Sequence, residues 1–172
     1  MYDEILEQAS KFDAKFKEYR PGNLDEVIKK VAYDINAPHE DNHKRTPMTE
    51  ALIKEMIELG DEFKVDKATV QYLHYKLFSD ELEEPGIYGG SWRHHSVKVG
   101  NHIPPEGMHV EYLMNIFFSQ VDKVTVTQAY RVFQTIHPFS DGNGRVGGIL
   151  LAVSSYNMLK GNKVAMMISP CQ

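Results

Sequence analysis

Residues 136–148, IHPFSDGNGRVGG, crowd a histidine, an acid, an asparagine, an arginine and several glycines into thirteen positions. Pro138 breaks any helix that delivers His137. Gly142 and Gly144 permit tight backbone geometry, and the apolar run Ile149–Val153 restarts a helix. The segment therefore reads helix, loop, helix, with the two glycines at the N-terminus of the second helix. Such an end offers unpaired N–H groups and the positive end of a helix dipole, and both favour an anion. His137, with an ordinary pKa of about 6.5, is mostly neutral near neutral pH and can accept a proton from a hydroxyl. Asp141 is a hard oxygen ligand of the kind Mg²⁺ takes. Arg145 offers a planar fork to a phosphate. Taken singly, each has a plainer use: a helix-end histidine, an Asx-turn aspartate, an asparagine N-cap, a surface arginine. Taken together they predict phosphate chemistry with Mg²⁺.

His137, Phe139, Asp141, Gly142, Asn143, Gly144 and Arg145 also match the signature of the Fic family, His-x-Phe-x-Asp/Glu-Gly/Ala-Asn-Gly/Lys-Arg-x-x-Arg. The final arginine of that pattern falls on Gly148. The resemblance implies an enzyme that transfers AMP from Mg-ATP to a Ser, Thr or Tyr hydroxyl of a target protein. In it, His137 deprotonates the hydroxyl and Asp141 holds the ion that bridges the α- and β-phosphates. Gly142, Asn143, Gly144 and Arg145 line the phosphates, and Phe139 anchors the loop in the core. Relatives with lysine at the place of Gly144 resemble the Doc toxins and act as kinases, so glycine fits nucleotidyl transfer.

By the resemblance, the family's second arginine usually contacts the γ-phosphate and can also pair with an inhibitory glutamate in a Ser/Thr-x-x-x-Glu-Gly/Asn helix. With Gly148 there, and only near-matches at Thr46–Glu50 and Ser79–Glu83, no intramolecular brake is expected. Regulation is then expected from a separate antitoxin-like protein, from a region outside this chain, or not at all. Alternatives on the same resemblance are another donor (UTP, GTP or CDP-choline), a kinase, an enzyme that removes AMP, or a weak module that only docks extended segments.

These residues need elements to hold them. Ile5, Ala9, Phe12 and Phe16 recur at helical spacing up to Pro21-Gly22. Leu24, Val27, Ile28, Val31 and Ile35 form a second amphipathic helix. Asn36–Arg45 reads as a long exposed loop, and Thr46-Pro47 as the next helix start, with Leu52, Met56 and Leu59 carrying it to Gly60. Val70, Leu73 and Leu77 mark a helix that Asp66 would cap. Pro85, Gly86, Gly89 and Gly90 forbid a regular helix. After them Trp92, Arg93, His94, His95, Ser96, Val97, Lys98 and Val99 read as a strand-like stretch, with Gly100-Asn101 as a turn. Residues 90–103 are therefore expected to form a short hairpin or exposed flap, able to receive a target segment by strand addition. His94, His95 and His102 lack acidic or thiol partners at zinc spacing. Val110–Val121, Val126–Ile136 and Asn143–Leu159 complete the helices. This outline is similar to Fic domains: a mostly α bundle with a small β-hairpin flap over the active-site loop, its core at about residues 65–160 and N-terminal helices over 1–64.

At 172 residues the chain has the size of a single domain, 1–172, and can bury a core. A net charge of −5 argues against nucleic acid as a partner. The one cysteine, Cys171, permits no intrachain disulfide. With no apolar leader and no run of membrane-spanning length, a cytoplasmic protein without membrane contact is expected.

Overall fold

The computed structural model describes residues 1–20, 22–81, 89–160 and 166–171. Pro85 and Gly86 of the helix-breaking cluster, Glu83 of the second near-match, and Pro21 lie outside the described residues. Among the described residues the chain forms seven α-helices and one two-stranded sheet. In order these are α1 (Tyr2–Ser10), β1 (Lys15–Tyr19), α2 (Leu24–Asn36), α3 (Asn42–Glu58), α4 (Lys67–Phe78), α5 (Val110–Gln120), α6 (Val126–Ile136), α7 (Asn143–Leu159) and β2 (Met167–Cys171). The mostly α class expected from the sequence is the class observed. The chain divides into two compact units, Met1–Phe12 with Val65–Val146, and Asp13–Lys64 with Gly147–Gln172.

The first unit holds α1, α4, α5, α6 and the first turn of α7. Its helix starts are written in side chains. Asp66 accepts the Thr69 N–H at 2.9 Å to open α4, as expected. Thr125 and Gln128 form a reciprocal capping box at the head of α6, at 3.2 and 2.9 Å. Leu73, Leu77, Leu113, Met114, Phe117, Phe133 and Ile136 are buried at helical spacing and form the core, with α1 laid on α6 through Ile5 and Ala9. Between α4 and α5 runs an irregular segment. Of the expected hairpin, one bridge is present, with Val99 and His102 exchanging backbone hydrogen bonds at 3.0 and 2.9 Å across Gly100-Asn101. The rest is extended chain without strand partners among the described residues.

In the second unit α2 packs on α3, and β1 pairs antiparallel with β2, Lys15 opposite Cys171 and Tyr19 opposite Met167. Two expectations are corrected here. The first helix stops at Ser10 instead of reaching Pro21, because Phe16 belongs to β1, whose partner lies some 150 residues away. The exposed loop expected over 36–45 is shorter than that, a turn over residues 37–41, with the positions on either side helical. α2 continues through Asn36, α3 begins at Asn42, and Pro47 lies inside α3. Hydrogen-bond partners offset part of the cost of burying the polar residues here. Asn36 Nδ2 donates to the Ala32 carbonyl at 2.9 Å and to Thr49 Oγ1 at 3.0 Å. Arg45 Nε lies 3.0 Å from Asp41. Gly148 on α7 sits against Ile35 of α2: a Cβ there would come within 2.8 Å of Ile35 Cγ1.

Candidate active site

The loop between α6 and α7 is built by its own residues. His137 ends α6 in the left-handed region, φ 55° and ψ 63°, with its N–H on the Phe133 carbonyl at 2.9 Å. Phe139 is fully buried, stacked on the His74 ring at 3.9 Å between centroids and 5.0 Å from Trp92. Asn143 spans the loop from the other end. Its Oδ1 accepts the Phe139 N–H at 2.8 Å and its Nδ2 donates to the Phe139 carbonyl at 2.9 Å. Gln134 Nε2 reaches the Asn143 carbonyl at 2.9 Å. Gly142 has φ +84°, and a Cβ there would overlap the Phe78 ring, so a side chain at this position is strained. The first intrahelical bond of α7 runs from Val146 N–H to the Gly142 carbonyl at 3.0 Å. The N–H groups of Asn143, Gly144 and Arg145 thus precede any intrahelical acceptor. Around a Cβ at Gly144 there is open space.

Charge is placed unevenly around this loop. Asp141 is exposed; its Oδ1 accepts the Gly142 N–H at 2.8 Å and its Oδ2 lies 3.4 Å from Arg145. The Arg145 side chain is buried, with its guanidinium carbon 4.8 Å from the Phe78 ring centre. Among the described residues no three His, Cys, Asp or Glu side chains converge as a metal site. An Mg²⁺ would therefore have one protein ligand in Asp141 and take its other oxygens from phosphates and water, a donor set that suits this ion. Burial pushes the His137 imidazole down to about 4, and the nearby Arg93 cation acts in the same direction. His137 is neutral near pH 7, as a proton acceptor must be.

Three supports were not foreseen from the sequence. His74 is buried in α4; Gly90 N–H donates to its Nδ1 at 2.9 Å, so Nε2 carries the proton and donates to the Asp141 carbonyl at 2.9 Å. Burial holds its pKa down, to about 4. A signal existed, since position 74 shares the apolar face of Val70 and Leu77. Gln134 is the second. The third is Arg93, expected with Trp92 among exposed docking residues. The structure corrects this, since both are buried. Trp92 packs against Phe139 and Phe118. The Arg93 fork is consumed by main-chain carbonyls: Nε to His137 at 2.7 Å, Nη1 to His95 at 2.9 Å, and Nη2 to Pro105 at 2.6 Å and Ile136 at 3.1 Å. Of the remaining flap residues, His94, His95, Ser96, Lys98 and Val99 are exposed and Val97 is half-buried. His102 bonds the Thr135 carbonyl through Nε2 at 2.9 Å.

The Fic/DOC family profile matches residues 64–154. The protein adenylyltransferase Fic of Aedes aegypti is 37% identical over 75 residues, 38% of this chain and 15% of that protein. The chain thus spans a small part of that relative's length. By fold, the chain is similar to IbpAFic2, seen covalently tethered to Cdc42, with a TM-score of 0.57 at 13% identity, over 96% of this chain and 57% of that one. A Fic family protein from Desulfovibrio desulfuricans G20 gives a TM-score of 0.50 at 17% identity, over 80% of this chain and 46% of the other. A helical scaffold, a histidine-headed loop and a profile match over more than half of its length place this chain in the Fic/DOC family.

Proposed function

We propose that this protein is a protein adenylyltransferase, carrying AMP from Mg-ATP to a Ser, Thr or Tyr hydroxyl of a target protein. The observation that carries the reading is the loop itself, which joins a neutral histidine in left-handed backbone to the amide-rich N-terminus of α7. The adenylyltransferase name of the Aedes relative supports it. His137 accepts the proton of the target hydroxyl. The hydroxyl oxygen then forms a bond to the α-phosphorus as the bond to pyrophosphate breaks, leaving an AMP ester on the target. The N–H groups of Asn143, Gly144 and Arg145, with the Arg145 cation, receive phosphate oxygens. Asn143 spends its amide on Phe139 and so serves by holding the loop. Asp141 would hold Mg²⁺, which would neutralise phosphate charge. An incoming anion raises the His137 pKa and strengthens it as a base. The exposed stretch His94–Val99 receives the target, and the tethering of the similar IbpAFic2 to Cdc42 supports a protein as the acceptor.

A second reading keeps the fold and changes the donor. Gly148 stands where the family motif has its second arginine, and Ile35 fills the space a side chain would need. UTP, GTP and CDP-choline are therefore donors to test beside ATP. We also propose that no glutamate of this chain acts as a brake in the cytoplasm, which leaves a separate antitoxin-like protein, a region outside this chain, or no regulator at all. Glu50 of the first near-match is paired with Lys54 at 3.3 Å. Incubation with Mg²⁺ and ATP labelled at the α- or γ-phosphate tests the main reading. Label from the α-position alone, absent in His137→Ala, supports it; γ-label means a kinase.

A further inference from the structure

We propose that Arg93 is the positioning residue for His137, holding the base in its left-handed backbone conformation and fastening the flap segment to the catalytic loop. This deepens the reading above and rests on His137 as the base. A non-glycine residue in this backbone region is strained, so something must over-determine it. The His137 N–H is fixed by Phe133, but its carbonyl, turned out of the helix by that same geometry, has Arg93 Nε as partner at 2.7 Å. Nη2 takes the Ile136 carbonyl, the last of α6, at 3.1 Å. Two of the orphaned carbonyls at the end of α6 therefore meet one cation, which also answers the negative end of the helix dipole.

The other half of the fork faces the flap. Nη1 holds the His95 carbonyl and the second Nη2 donor holds Pro105, so the chain on both sides of the flap hangs on the same group. The Arg93 N–H itself donates to the Pro138 carbonyl at 2.9 Å. A buried guanidinium with four neutral acceptors and, among the described residues, no carboxylate paired with it is a costly arrangement in energy. Burial lowers its pKa to about 10, so it remains charged near pH 7. That charge helps keep the neighbouring imidazole neutral. Only arginine offers a planar set of donors that can meet four carbonyls at once; lysine has three donors on one atom.

Arg93→Lys in the full chain tests this, with Arg93→Gln as the uncharged companion. Three quantities are read: thermal stability, kcat and KM for ATP in AMP transfer, and the His137 ring resonances, assigned by their loss in His137→Ala. The expected result is a folded Arg93→Lys protein whose kcat falls about 10²-fold, the loss typical of a base displaced by about an ångström. The KM for ATP stays within about threefold, and the His137 resonances move. In Arg93→Gln the His137 titration also shifts upward, because a cation is gone. A folded Arg93→Lys protein with unchanged kcat and unchanged His137 resonances overturns the proposal. So does loss of fold in both variants, since Arg93 would then be a framework residue. The resonances report on His137 whatever the donor, so failure of AMP transfer in the unsubstituted protein and failure of this proposal are distinguishable.

Discussion

His137 and Gly142 show how much single positions decide here. The motif from His137 to Arg145 was legible because its residue types are improbable together and each has a chemical reason to be near a phosphate. Their division of labour was not legible. Asn143, expected at the phosphates, spends both ends of its amide on Phe139 main chain, and main-chain partners leave no mark in a sequence. The two motif glycines separate for the same reason. Gly142→Ala combines a left-handed backbone with a Cβ against Phe78, and should cost about 2–4 kcal/mol in urea unfolding. Gly144→Ala meets open space in a helical turn, so stability should be unchanged or rise by up to about 1 kcal/mol. Its AMP transfer should still fall, because the added methyl stands where phosphate must approach main chain.

At the scale of elements, capping and periodicity carried most of the information. α4 begins where Asp66 caps it, and α7 spans Asn143–Leu159 as its apolar run indicated. The failures share one cause. β1 exists because residues 167–171 supply its partner, and helical spacing at Phe12 and Phe16 could not report that. The burial of Arg45 and Asn36 likewise depends on partners in folded space. Gly148 is the consequential case. Restoring the motif with Gly148→Arg should not restore family-like nucleotide use. It should destabilise the protein by about 1–3 kcal/mol through collision with Ile35, and Ile35→Ala should return part of that loss in a double-mutant cycle. Purely additive effects in that cycle would contradict the packing account.

The whole molecule should answer to pH through its buried histidines. His74 and His137 titrate near 4 when folded and near 6.5 when unfolded. Between those values the unfolded chain binds more protons, so stability rises with pH across the window. It is fully present above about pH 6.5 and is lost as pH falls toward about 4. From pH 7 to about pH 5 the loss should be roughly 2 kcal/mol for each histidine, measured by urea unfolding, and His74→Asn should remove part of that slope. A slope unchanged in His74→Asn would contradict the burial of a neutral ring. The same low pKa means that AMP transfer should not show an acid limb near 6.5 in kcat/KM. Among the described residues no helix is long and apolar enough to cross a membrane.

The most direct test of the central claim is transfer of label from α-³²P-ATP with Mg²⁺ to protein in a cell lysate, comparing the unsubstituted chain with His137→Ala. The account predicts labelled target bands that fall by at least about 10²-fold in His137→Ala, with no label from the γ-position. Equal labelling by the two proteins, or label from the γ-phosphate, would contradict it.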